Sequence, residues 1–182
     1  TLSRVPLGYI IGNRKTKISN FKPFQYQLEA ERSFVEKFDK RGILAMPCGT
    51  GKTYISYLVS KHHQQIIILS PLKQHTKQNV EKFIEYGYPE SKTLRVDSDG
   101  ERDIRQIEKF IAKNDRGFLI SATYDSVDII RKALKLMDKP FIIVDEFHNL
   151  SKRNVVDKDD DFYNVLHSKE KMLFMSATPR VY

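Results

Sequence analysis

Eight residues, MPCGTGKT at 46–53, have the composition of a loop that holds a phosphate chain. Backbone N–H groups close around phosphate oxygens only where side chains are small, and a helix starting at the loop adds its dipole. Pro47, Cys48, Gly49, Thr50 and Gly51 supply that turn. Lys52 is then placed to reach the β- and γ-phosphates of a nucleotide, and the Thr53 hydroxyl to ligate Mg²⁺. The loop departs from the strict GxxxxGK(S/T) spacing once, because Met46 stands where the first glycine is expected. Cys48 is either a small side chain lining the turn or a thiol activated by the helix N-terminus.

A loop of this kind needs a second acid to hold the metal and to orient an attacking water. FIIVDEFH at 141–148 offers both groups at the end of an apolar run: Asp145 for the metal and Glu146 to polarise water. Lys52, Asp145 and Glu146 form the catalytic set of this reading. Each segment also has a bland reading, a tight strand-to-helix turn for the first and surface acids for the second, and it is their pairing that favours chemistry.

The elements that must position these residues follow from periodicity. After Pro23, Leu28, Phe34, Val35 and Phe38 recur at helical spacing and Gly42 stops the run. GILAM at 42–46 reads as a short buried strand, followed by an apolar helix from the glycine turn to about Ser60. Further strands are expected at 65–70, 92–97, 117–122, 141–145 and 171–176, with amphipathic helices between them. Short apolar strands alternating with such helices predict an open α/β fold, a mainly parallel sheet with helices on both faces. Ligands of these sheets bind beyond the carboxyl ends of the strands, where both candidate segments lie. The acids Asp157, Asp159, Asp160 and Asp161 read as a solvated loop.

Composition narrows the class. The chain of 182 residues is 40% hydrophobic and 30% charged, which suits one globular domain. Its single cysteine excludes an internal disulfide framework, and no apolar stretch approaches the length of a membrane span, so an intracellular protein without membrane contact is expected. The net charge of +8 is uneven: residues 1–91 carry 14 basic and 7 acidic side chains, residues 92–182 carry 17 and 16. Arg4, Arg14, Lys15, Lys17 and Lys22 precede the first acid, so residues 1–23 read as a basic arm or irregular lead-in, either a contact for an acidic partner or a solubilising surface.

MPCGTGKT, VDEFH and MSATP at 175–179, in this order, resemble motifs I, II and III of DExH-type superfamily 2 helicases and translocases, and the resemblance covers most of residues 24–179. It implies that residues 24–182 form the first RecA-like P-loop NTPase domain of an ATP- and Mg²⁺-dependent motor acting on nucleic acid, DNA by preference and RNA as the alternative. Such motors complete their ATP site with an arginine finger from a second RecA-like domain, which this chain lacks. The domain alone is therefore expected to hydrolyse ATP poorly, since such a finger contributes ~10³ to 10⁵ in rate in related NTPases. YQLEA at 26–30 is similar to the motif that reads adenine, with Gln27 as the base contact and Gln25 as its rival. SPLKQHTKQ at 70–78 and SATYDSV at 121–127 occupy the places of the family's backbone-gripping loops, implying nucleic-acid contacts for Pro71, Leu72, Lys73, Ser121 and Thr123. Without the family, both are polar loops leading into capped helices. His148, Ser176 and Thr178 would couple the nucleotide site to the nucleic-acid side. The ending FMSATPRVY is most similar to motors of large DNA viruses, type III-like restriction enzymes and DNA repair or transcription helicases. Two other classes stay open: a P-loop small-molecule phosphotransferase and a nucleotide-dependent, non-catalytic binding module.

Overall fold

The structure, a computed structural model, describes residues 21–177. The basic arm through residue 20, and Thr178 of the coupling set, lie outside the described residues. Six strands form one sheet, β1 (Arg41–Ala45), β2 (Gln65–Ser70), β3 (Thr93–Val96), β4 (Phe118–Thr123), β5 (Phe141–Val144) and β6 (Lys171–Ser176). Every pairing is parallel and the spatial order is β1-β6-β5-β2-β4-β3.

The strand sequences explain why both faces are covered. Along β2, Ile67 and Leu69 join one apolar cluster while Ile66 and Ile68 join the other. Ile142 and Val144 of β5 alternate in the same way with Phe141 and Ile143. A period of two with apolar residues at both phases demands helices on both sides. One face is packed by α1 (Gln25–Lys37), α2 (Lys52–Ser60) and α3 (Lys73–Glu85), through Phe34, Ile55, Val59 and Phe83. The other takes α4 (Ile104–Lys113), α5 (Val127–Leu134) and α7 (Asp161–Leu166), through Ile107, Ile130, Phe162 and Val165.

Two sequence expectations are corrected. β1 is an edge strand with one neighbour, so its residues are not uniformly buried and Ile43 is 66% exposed. The acidic segment is not a plain loop, because α6 (Lys152–Val156) and α7 flank it and Asp160 caps α7 by accepting from the N–H groups of Phe162 and Tyr163. Phe21, placed in the lead-in, packs on the body: its ring meets those of Tyr54 and Tyr86, and its carbonyl accepts from the Tyr54 hydroxyl.

Strand order brings the candidate segments together. β1, β6 and β5 are neighbours running in one direction, so the residues that leave their carboxyl ends emerge side by side. Ala45 pairs with Ser176 in register, and Met46 N–H donates to the Ser176 carbonyl at 3.2 Å, joining the glycine loop to the last strand.

Candidate functional site

The glycine loop connects β1 to α2. Gly49 and Gly51 have φ of +80° and +81°, the left-handed region that costs other residues energy. Gly51 is doubly constrained, since a Cβ there would lie 2.5 Å from the Gln27 amide nitrogen. Pro47, Cys48 and Gly49 are exposed, and Thr50, Gly51, Lys52 and Thr53 are half-buried. Lys52 Nζ folds back to the carbonyls of Met46 at 3.0 Å and Pro47 at 3.2 Å, and the Thr50 hydroxyl donates to the Pro47 carbonyl at 2.7 Å. The lysine ammonium thus sits over the mouth of the loop.

Gln27 lies against this loop and Gln25 does not. Gln27 is 4% exposed, its Oε1 accepts from Phe24 N–H at 3.0 Å and its Nε2 approaches the Thr50 carbonyl at 3.4 Å. Gln25 points to solvent and bonds Glu29. Tyr26 also donates to the Thr50 carbonyl, at 2.9 Å, and its ring stacks on Phe24. α1 therefore braces the loop from the side.

The turn after β5 carries the two acids. Asp145 N–H completes the ladder by donating to the Leu69 carbonyl at 2.8 Å. Its carboxylate accepts from Ser70 Oγ at 3.4 Å, and Ser70 Oγ in turn accepts from Asn79 Nδ2 of α3 at 3.0 Å. Burial, then the neighbouring Glu146, push the Asp145 carboxyl above its ordinary range, against the opposing pull of His75, Asn79 and Ser70. A cation at this carboxylate would relieve both causes.

Glu146 is in the left-handed region, φ +51° and ψ +47°, which is uncommon for a residue with a side chain. Its Oε2 accepts from Ala177 N–H at 3.3 Å and lies 3.3 Å from His148 Nδ1. His148 Nδ1 is also 3.0 Å from Ser176 Oγ. One imidazole thus joins the turn after β5 to the end of β6, bringing Glu146, His148 and Ser176 together.

The predicted nucleic-acid contacts divide. Pro71 is half-buried, Leu72 is 57% exposed, and exposed Lys73 pairs with Asp99 at 2.9 Å. Ser121 is a different case: it is 0% exposed inside β4, where it pairs with Ile68 and Arg95, so a polymer outside the protein cannot touch it. Thr123 is also buried and its hydroxyl engages Ser126 at 3.0 Å. The strand runs further than the motif spacing suggested, and the first accessible groups of this loop are Tyr124 and Asp125.

Two contacts escaped sequence reasoning. Asn79 reaches Asp145 through Ser70, and Tyr124 donates its hydroxyl to the Asp145 carbonyl. A polar residue at an inward helical position was the available signal for Asn79, which is 5% exposed on α3. No local signal marks Tyr124, whose partner lies 21 residues away. Asp97, at the end of β3, is fully buried. Burial alone would raise its carboxyl, but hydrogen bonds from Thr76, Arg95 and Asp99 N–H outweigh it and hold it below the usual carboxylate range. It anchors the first turn of α3, which starts at Lys73 directly after Leu72. Among the described residues no cluster of ligands forms a preassembled metal centre, and no helix is long and apolar enough to cross a membrane.

Residues 20–181 match the family described as "Type III restriction enzyme, res subunit". A protein of African swine fever virus named "Probable helicase A859L" is 31% identical over 172 residues, covering 85% of this chain and 19% of the viral protein. "Uncharacterized ATP-dependent helicase YqhH" of Bacillus subtilis is 28% identical over 171 residues, covering 89% of this chain and 27% of that protein. The chain thus spans about a fifth to a quarter of the relatives it matches. The solved structure of a nuclease-deletion mutant of the Type ISP restriction-modification enzyme LlaGI, in complex with a DNA substrate mimic, superposes with a TM-score of 0.71 at 22% identity, over 89% of this chain and 18% of that one. That likeness shows the fold, a RecA-like domain.

Proposed function

Because this chain belongs to the family of the type III restriction enzyme res subunit, as an N-terminal RecA-like domain of superfamily 2 helicase type, we propose that the complete protein hydrolyses ATP to move along or unwind nucleic acid. The observation that carries the proposal is the meeting of three strand ends: the glycine loop with Lys52, the Asp145–Glu146 turn, and Ser176 joined to Glu146 through His148.

The chemistry follows from the residues. Backbone N–H groups of residues 49–53 and the N-terminus of α2 receive the phosphates, and Lys52 exchanges its loop carbonyls for phosphate oxygens. Gln27, at the side of the loop, faces the base. The Thr53 hydroxyl and the Asp145 carboxylate are hard oxygen donors of the kind Mg²⁺ takes, and they would hold it. That ion, when bound, neutralises charge on the phosphates. Glu146 orients the attacking water and accepts its proton. His148 and Ser176 report the state of this acid to the end of β6. Leu72 and Lys73 meet the nucleic-acid backbone, and Lys73 trades Asp99 for a phosphate. DNA is the favoured track, supported by the DNA substrate mimic bound by the LlaGI enzyme. A second RecA-like domain supplies the arginine finger.

The test is steady-state ATPase activity of the complete protein, with and without single-stranded DNA, duplex DNA and RNA at low salt. Stimulation by one polymer, lost in Lys52→Ala, is the expected result and names the track. ATP binding without stimulation by any polymer overturns the motor reading and moves the function to a small-molecule phosphotransferase or a nucleotide-dependent binding module.

A further inference from the structure

Glu146 holds a backbone conformation that a residue with a side chain keeps only when its surroundings over-determine it. The peptide after it is pinned, because Asn149 donates to the Glu146 carbonyl from its backbone N–H at 2.9 Å and from Nδ2 at 3.1 Å. The peptide before it carries the Asp145 carbonyl, and that oxygen accepts from the Tyr124 hydroxyl. The Tyr124 bond therefore fixes the plane from which the φ of Glu146 is measured.

Tyr124 is itself held firmly. It is the first residue beyond β4, and its ring packs edge-on against Phe162 of α7, centroids 4.8 Å apart at 86°. It directly follows Thr123, in the loop that the family resemblance turns toward nucleic acid.

We infer that Tyr124 is a positioning residue for Glu146, a tether from the loop after β4 to the backbone of the turn that bears the acid. The inference rests on the reading of Glu146 as the acid of ATP hydrolysis. Tyr124→Phe removes the hydroxyl and keeps the ring against Phe162. In the complete protein this variant is expected to lose about tenfold in kcat, the size set by one buried hydrogen bond, with KM for ATP within about twofold. Amide exchange across residues 145–149 should quicken by about tenfold, with protection elsewhere little changed and the melting temperature lowered by only a few degrees. A residue that only packs would leave both the local exchange and kcat at wild-type values, because phenylalanine fills the same space. Either value remaining unchanged, beside an active wild type, overturns the inference. A wild type without ATPase activity overturns the reading of Glu146 instead, and exchange at 145–149 then still decides whether the tether exists.

Discussion

The two halves of the candidate nucleotide site are built in opposite ways. The glycine loop hangs from β1, an edge strand, and its fold comes from two glycines at positive φ and from Lys52 and Thr50 bonded to carbonyls three to six residues away, with Tyr26 and Gln27 of α1 and the Ser176 carbonyl as its outside supports. The acidic turn leaves β5, a fully buried inner strand, and is held by groups from distant elements: Leu69 and Ser70 at the end of β2, Tyr124 after β4, Ala177 after β6. A loop that must wrap its phosphates benefits from a backbone free to reshape. A carboxylate that must aim at one water benefits from fixed neighbours. The difference shows which half should answer to local substitutions and which to remote ones.

The largest expected effect separates the halves by function. Glu146→Gln keeps the size and the left-handed turn but cannot take a proton, so kcat should fall by ~10² to 10⁴ while nucleotide affinity holds. Single-turnover ATPase beside equilibrium nucleotide binding reads the two separately. A Glu146→Gln protein that turned over at the wild-type rate would break the assignment of chemistry to the turn.

Gly51→Ala is the complementary cut. The added Cβ meets the Gln27 amide at 2.5 Å and strains a φ of +81°, a backbone cost of about 1 to 2 kcal/mol. Nucleotide affinity should drop about tenfold, with the catalytic step per bound ATP little changed; titration with a fluorescent ATP analogue measures it. An equal loss in the chemical step would mean that the loop and the turn are not separable.

The smallest effect concerns the strand beneath the turn. His63 stacks on Phe141, the first residue of β5, with ring centroids 4.2 Å apart. Burial, with the charges of Lys171 and His62, lowers its imidazole to about 4 from 6.5. A depressed histidine is neutral in the fold and protonated sooner in the unfolded chain. Its stabilising contribution is therefore full above pH 6.5 and is lost as the pH falls toward about 4. Melting curves between those values should slope less in His63→Gln than in the wild type. Identical slopes would remove His63 from the acid response of β5.

Much of the fold could be read from residue order. The six strands lie within a residue or two of their expected places, with helices between them as expected, because the apolar run IIIL in β2 and the three-to-four spacing of Ile104, Ile107 and Ile111 are local properties of the chain. Short α6 and α7 were missed, since segments of five and six residues show too little periodicity against a background of aspartates.

The site divides along the same line. Sequence alone located the glycine loop with Lys52 and Thr53, and the acid pair at the end of an apolar strand, because a glycine turn and an apolar run are local properties of a few consecutive residues. Tertiary structure alone decided that Gln27 rather than Gln25 faces the loop, that Ser121 is sealed inside β4, and that β1 is an edge. It also joined Asn79 and Tyr124 to Asp145. Those outcomes depend on which strands lie side by side and how far each extends, and a hydrogen bond between residues 21 positions apart has no signature in either neighbourhood until the sheet order brings them together.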